Sequence, residues 1–228
     1  MFGAKIYSLK HIIRGVNLMK RIKVLVVDDS LLFRELLAKS LSKDPSLEVV
    51  GTASDPYEAR DKILELEPEV MTLDVEMPRM DGIEFLKRLM PQYPIPVVVV
   101  SAIDGVVFDA LDAGAVDFVA KLDYRAKGKS ETLIDELVSK IKIASTAKLE
   151  HFGNKIGRRK VISSNRHNKT DIVIAIGAST GGTEAIEQIL RVLPRATPGL
   201  VIVQHMPPVF TKLYADRLNA SCAIEVRE

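Results

Sequence analysis

Apolar positions along this chain alternate between short unbroken runs and longer stretches in which they recur every three to four residues. Ile22–Val27 (IKVLVV) is a run of strand length, β-branched enough for a strand buried on both faces. In residues 30–43, Leu32, Phe33, Leu36, Leu37, Ala38 and Leu41 recur at helical spacing. The rhythm continues with strands at 47–52, 70–73, 97–100 and 115–119, and with helices at 55–66, 82–90, 106–112 and 132–146. Asp55 is a natural N-cap, with Pro56 at the first helical position. Five strand–helix units in about 120 residues predict an α/β fold, a five-stranded parallel sheet doubly wound by helices. In such sheets ligand chemistry gathers at the carboxyl ends of the strands.

Periodicity is lost across 147–170, where Lys, Arg, Ser and Asn accumulate. A second alternation follows: strand 171–176, helix 182–193, strand 200–204, helix 209–219 and the start of a strand at 223–226. The expected organisation is a non-structural extension at 1–18, a receiver-sized domain at 19–146, a basic linker at 147–170 and an incomplete parallel α/β domain at 171–228. The first strand begins just after Met19-Lys20-Arg21, a natural start, so residues 1–18 are expected to have no role in the fold.

A length of 228 residues accommodates two domains, and 47% hydrophobic with 27% charged residues fits a soluble globular protein. No apolar run approaches the roughly 18 residues of a membrane span. The apolar stretch near the N-terminus is broken by charges and lacks a small-residue cleavage site, which argues against a secretory signal. One cysteine, Cys222, excludes a disulfide framework and a cysteine-built metal site, and a reducing cytoplasm is expected. The net charge of +2 hides an asymmetry. Residues 21–124 hold 20 acidic and 11 basic side chains, residues 125–170 hold 12 basic and 4 acidic, and the last 58 residues are nearly balanced, with 5 basic and 6 acidic. An acidic module with a basic connector is not the pattern of a nucleic-acid binder. No basic helix-turn-helix pattern is present, so a DNA-binding regulator ranks far behind other readings.

Asp28 and Asp29 follow the first strand, Asp74 ends the third, Ser101 follows the fourth, and Lys121 follows the fifth. All five are therefore expected on one sheet edge. Three carboxylates repel unless a hard cation joins them, and oxygen ligands suit Mg²⁺. Asp74 is a natural nucleophile, because a carboxylate can form an acyl phosphate. Lys121 offers a point charge and Ser101 a hydroxyl for the phosphate. Singly, each is as well explained as a surface acid or a cap, and Asp29 or Ser30 could simply cap the first helix. The joint pattern is not so explained. The motifs VVDDS (26–30), LDVEMPRMDG (73–82), VVVVSA (97–102) and DFVAK (117–121) resemble the response-regulator receiver family. The resemblance implies Mg²⁺ held by Asp28, Asp29 and Asp74, phosphorylation of Asp74 by a histidine kinase, and a switch pair of Ser101 and Phe118. One departure is Leu122, where the family usually has proline.

In the second module, Gly177-Ala178-Ser179-Thr180-Gly181-Gly182 lies between a strand and a helix, and His205 follows the next strand. Glycines there permit a tight turn, and helix-start N–H groups can hold an oxyanion. Ser179 with His205 is the minimum for acyl transfer. Phosphate or nucleotide binding and a merely packed turn remain open on spacing alone. IGASTGGTEAI (176–186) and VIVQHMPPVFT (201–211), behind a receiver and a basic linker, resemble the chemotaxis protein-glutamate methylesterase family. That resemblance implies hydrolysis of glutamate γ-methyl esters, and glutamine deamidation, on methylated chemoreceptors. Ser179 is then the nucleophile, His205 the general base and Thr180 a site-shaping neighbour, with receiver phosphorylation relieving its cover over the site.

The family's histidine-orienting aspartate lies much further along its sequence. Only 23 residues follow His205 here, and Asp216 falls on the polar face of a predicted helix. The expectation is a chain truncated before its catalytic acid, either a gene fragment or a pseudo-enzyme. The alternative function is a non-catalytic receiver acting as a phosphoryl sink or partner-binding switch.

Overall fold

A computed structural model describes residues 20–102, 106–121, 129–147 and 172–228. The expected extension, nearly all of the linker and Leu122 lie outside the described residues.

In chain order the elements are β1 (Ile22–Val27), α1 (Leu31–Leu41), β2 (Leu47–Ala53), α2 (Pro56–Leu66), β3 (Val70–Leu73), α3 (Gly82–Leu89), β4 (Val97–Ser101), α4 (Val106–Asp112), β5 (Asp117–Ala120) and α5 (Lys129–Ala144). A second set follows: β6 (Val173–Ala178), α6 (Gly182–Leu190), β7 (Gly199–Gln204) and α7 (Pro208–Ser221). The first sheet is entirely parallel, in the order β2-β1-β3-β4-β5. β6 and β7 form a separate parallel pair.

Local chemistry fixes several boundaries. The Ser30 hydroxyl accepts from the Phe33 N–H at the start of α1, so Ser30 rather than Asp29 is the cap. Asp55 accepts from the Tyr57 and Glu58 N–H groups ahead of Pro56. β5 starts two residues later than the pattern predicts. Residues 113–115 close the end of α4 instead, with Ala115 N–H bonding Ala110 O and Gly114 at φ 112°. β6 is displaced the same way, because its ladder with β7 runs on to Gly177↔Val203 and Ala178↔Gln204. α6 stops at Leu190, well short of 193, as the chain turns toward Pro194. The strand expected at 223–226 is not formed. Val226 N–H bonds the Asn219 side chain instead, and no described strand lies beside it.

Alternation along the strands sorts the first sheet into two cores. Val24, Val26, Val98, Val100 and Val119 pack with Phe33, Leu37 and Leu41 of α1 and with Leu137 and Ile141 of α5. Leu25, Val27, Leu73, Val97, Val99 and Phe118 face the other way, toward Ile63, Leu86 and Phe108. This second core does not end with the first module. It continues into Ile186, Leu190, Phe210, Tyr214 and Leu218 of α6 and α7. On the far face of β6 and β7, Val173, Val201 and Val203 are exposed.

Candidate functional site

The carboxyl end of the first sheet gathers the residues expected there. Asp28 and Asp74 are buried, at 1% and 2% exposure, while Asp29 is exposed. Carboxylate oxygens of Asp28, Asp29 and Asp74 all lie within 4.8 Å of one another. Lys121 Nζ donates to Asp28 Oδ2 at 2.8 Å and to Asp74 Oδ2 at 2.7 Å, and it sits 4.4 Å from the Phe33 ring centroid. Ser101 is buried at the end of β4, and Lys121 N–H bonds its carbonyl at 2.7 Å.

The backbone is pinned around these groups. Arg34 Nη1 donates to the Asp28 carbonyl, and Asp28 Oδ1 accepts from Ser30 N–H at 2.9 Å. Asp74 Oδ1 accepts from Glu76 N–H at 3.1 Å. Gly82 opens α3 against the end of β3, so closely that a Cβ there would lie 2.5 Å from Asp74 O and 2.9 Å from Val75 Cα. Only glycine fits that approach. Arg79, at φ 72°, turns the intervening loop and reaches Asp55 at 3.3 Å.

Electrostatics match the crowding. Burial pushes the Asp28 carboxyl up to about 6; the Lys121 hydrogen bond and charge oppose this, and the neighbouring Asp74 charge adds to it. Burial disfavours the Lys121 ammonium, but the bonds to Asp28 and Asp74 outweigh it and hold Lys121 above its ordinary value. A divalent cation among the three carboxylates would relieve the same strain on Asp28, so the residues present fit a hard, oxygen-seeking ion.

Phe118 leaves this cluster for the other core. Its ring meets Phe210 of α7 edge-to-face at 4.8 Å and Phe108 at 6.5 Å. On the other side Lys140 Nζ lies 5.1 Å from the ring, donates to Phe118 O at 2.5 Å and pairs with Asp117 and Glu136. The contact extends along one stripe of α7. Tyr214 stacks on Phe108 at 5.6 Å and donates to Thr183 O at 2.6 Å. Arg217 lies over the Phe108 ring and donates to both Asp112 oxygens at 2.6 Å. Burial pushes the Tyr214 phenol up, so it stays a donor.

In the second module, Ser179 follows β6 and His205 follows β7, so the parallel pair brings them to one edge. Ser179 Oγ lies 3.5 Å from His205 Nδ1. That is longer than the roughly 2.6–3.2 Å of a working nucleophile–base contact. Both residues are exposed, so the described residues do not cover them, and contact with the first module runs through α7. Among the described residues no carboxylate bonds His205. Asp216 is exposed on α7, as its position in the sequence predicts. Thr180 Oγ1 is buried without a partner.

The apolar stripe Phe210–Tyr214–Leu218 is visible as i, i+4, i+8 spacing, yet nothing in the sequence says that it packs on another module. The Arg217–Asp112 bridge, spanning 105 residues, leaves no local signal.

Comparison with known proteins matches two separate stretches of the chain. Residues 24–127 match the response regulator receiver domain family, and residues 174–228 match the CheB methylesterase family. A protein-glutamate methylesterase/protein-glutamine glutaminase of Syntrophomonas wolfei is 56% identical over 211 residues, covering 92% of this chain and 61% of the relative. One from Syntrophotalea carbinolica is 54% identical over 221 residues, covering 92% and 62%. The chain thus spans about three fifths of the length of the curated relatives it matches. The crystal structure of the response regulator domain of Thermotoga maritima CheB aligns with a TM-score of 0.53 at 38% identity, covering 57% of this chain and 100% of that one. The chain belongs to the chemotaxis response-regulator protein-glutamate methylesterase family, of which it carries the receiver domain and the N-terminal part of the methylesterase domain.

Proposed function

We propose that the chain is the receiver and nucleophile-bearing portion of a phosphorylation-regulated protein-glutamate methylesterase, with glutamine deamidation as a companion activity, acting on methylated chemoreceptors. Its receiver takes 19–146, a basic connector 147–170 and the partial methylesterase domain 171–228. The observation that carries this is the convergence of Asp28, Asp29, Asp74 and Lys121 on one sheet edge, linked through Phe118 and Phe210 to the helix that follows His205.

Asp74 attacks the phosphorus of a phosphoryl donor, presented by a histidine kinase. The carboxylate O–P bond forms as the donor's bond to phosphorus breaks. Lys121, 2.7 Å from Asp74 Oδ2, holds an oxygen of the transferred group, and the Ser101 hydroxyl donates to another. Asp28, Asp29 and Asp74 would hold Mg²⁺, which when bound neutralises charge on the phosphoryl oxygens. A shift of Ser101 toward the phosphoryl group loosens the packing of Phe118, and with it the seat of Phe210. Ser179 and His205 are both exposed, which supports regulation through α7 rather than a lid over the serine.

At the second site Ser179 Oγ attacks the γ-carbonyl of a methylated glutamate. His205 takes the hydroxyl proton and gives it to the leaving methanol. Water, deprotonated in turn by His205, then cleaves the acyl–Oγ bond, which frees the glutamate carboxyl and returns the proton to Ser179. N–H groups at the start of α6 face the developing oxyanion, and Thr180 shapes that pocket. Loss of a histidine-orienting carboxylate costs about 10⁴ in turnover in serine proteases. Methanol release from methylated receptor should therefore be near background for this chain. It should be restored when the chain is extended to its relatives' length, and lost again in Ser179→Ala. Equal release by the unextended and extended chains would overturn this.

A second reading, a receiver that acts as a phosphoryl sink or partner-binding switch without ester hydrolysis, is favoured by the 3.5 Å gap between Ser179 Oγ and His205 Nδ1. An extended chain that takes phosphate but releases no methanol would select it. A cytoplasmic setting suits both readings. No described helix is long and apolar enough to cross a membrane.

A further inference from the structure

Gln204, the last residue of β7, sits between the two residues proposed to react and has no role in the chemistry described above. Its Nε2 donates to the Ser179 carbonyl at 2.9 Å and also approaches the His205 carbonyl at 3.3 Å. One amide group therefore ties together the backbones that carry the nucleophile and the base. The Ser179 carbonyl also accepts Gly182 N–H at 2.7 Å, so both its lone pairs are used. A third tie, His205 N–H to Ala178 O at 2.9 Å, closes the same seam.

The opposite end of the amide fixes its orientation. Gln204 Oε1 is buried without a hydrogen-bond partner, against the start of α6, and a Cβ on Gly182 would lie 2.2 Å from it. Rotating the amide by half a turn would point Oε1 at two carbonyl oxygens, which is repulsive, so Nε2 stays on the carbonyl side. Leaving an acceptor buried and unpaired is costly. The arrangement persists because the donor side makes two contacts that a shorter or apolar side chain could not. The β6–β7 ladder ends at Ala178↔Gln204, so beyond it the two loops are tied by the His205 N–H bond to Ala178 O and by the Gln204 amide. The Ser179–His205 separation, 3.5 Å side chain to side chain, depends on those ties.

We propose that Gln204 is a positioning residue for the Ser179–His205 pair, acting through the two carbonyls rather than on substrate. This rests on Ser179 and His205 being the reacting pair. Two near-isosteric variants separate donor loss from volume loss. Gln204→Glu places a carboxylate against both carbonyls, and Gln204→Met keeps the length without any polar group.

The full chain is treated with a fluorophosphonate. Ser179 Oγ forms the bond to phosphorus, the P–F bond breaks, fluoride leaves, and His205 takes the hydroxyl proton. Labelling at Ser179 is followed against pH. Both variants should label at least tenfold more slowly than the parent and lose the pH inflection that His205→Gln abolishes, while circular dichroism and receiver phosphorylation stay unchanged. Hydrogen exchange at the His205 amide is measured on the same proteins and should rise by tenfold or more in both variants. This second measurement decides the matter where parent labelling is below detection. Parent-like exchange, or parent-like labelling with an intact pH profile in Gln204→Met and Gln204→Glu, overturns the assignment of Gln204. Labelling that survives Ser179→Ala or is unaffected by His205→Gln instead overturns the reacting pair itself, so the two failures are distinguishable.

Discussion

Of the contacts that join the two modules, the Phe118–Phe210 ring pair should carry a measurable share, and Phe210→Ala tests it. Phe210 is 1% exposed, and its ring meets Phe118 edge-to-face at 4.8 Å and 63°. Truncating a buried phenylalanine costs about 3–5 kcal/mol. Of that, about 0.5–1.5 kcal/mol belongs to the ring pair beyond the buried area. The receiver keeps one core, between its sheet and α1 and α5, wholly to itself, so the loss should fall on α7 rather than on the β1–β5 sheet. Hydrogen exchange at α7 amides should accelerate by about 150-fold for a loss of roughly 3 kcal/mol, up to the limit set by unfolding of the second module. Amides of β4 serve as the internal reference and should not change. Pairing Phe210→Ala with Phe118→Leu in a double-mutant cycle isolates the ring–ring term, expected near 1 kcal/mol, or about fivefold in exchange. Strict additivity, with a coupling below about 0.3 kcal/mol, would show that the rings are neighbours without energetic linkage and would remove the physical basis for a route from Asp74 to α7.

Two further outcomes follow from local geometry. Gly82→Ala should lower denaturant stability by more than about 2 kcal/mol and slow phosphorylation, because its Cβ would meet the Asp74 carbonyl at 2.5 Å; a loss under 0.5 kcal/mol, the usual size for a surface change, would contradict this. Asp44 accepts from Lys142 and from the Ser46 hydroxyl, which hold its carboxyl down at about 2, below the ordinary 3.8. The folded form therefore gains stability above the unfolded value and loses it as pH falls from about 5 toward 2. With Lys142 partly exposed, the gain is on the order of 1 kcal/mol at most. Urea titrations of the parent and Asp44→Asn should differ by that amount at pH 7 and converge near pH 2, and a gap independent of pH would rule this out.

The sequence carried the first module almost whole, because strands buried on both faces announce themselves as runs such as VVVV at 97–100. Chemistry at their ends needs only chain order to be located, which is why Asp28, Asp74, Ser101 and Lys121 were legible. Boundaries slipped where tertiary pairing decided them. β6 keeps Gly177 and Ala178 because β7 is there to pair with them, and residues 223–226 form no strand because no described strand lies beside them. The joint between modules was not legible at all. Phe210, Tyr214 and Leu218 read equally well as the private core stripe of one helix, and the Asp112–Arg217 pair lies too far apart in sequence for any pattern to link them. Gln204 gives no signal in the sequence, because a glutamine before a histidine carries no chemistry until its amide lies against the Ser179 carbonyl.

The account turns on Asp74 as the phosphoryl acceptor. The direct measurement is incorporation of an acid-stable, base-labile acyl phosphate from a small phosphodonor with Mg²⁺, followed by mapping of the modified residue. The full chain should take up one phosphoryl group at Asp74, Asp29→Asn should take it up more slowly, and Asp74→Asn should take up none. An acyl phosphate in Asp74→Asn at the level of the parent chain would contradict the account.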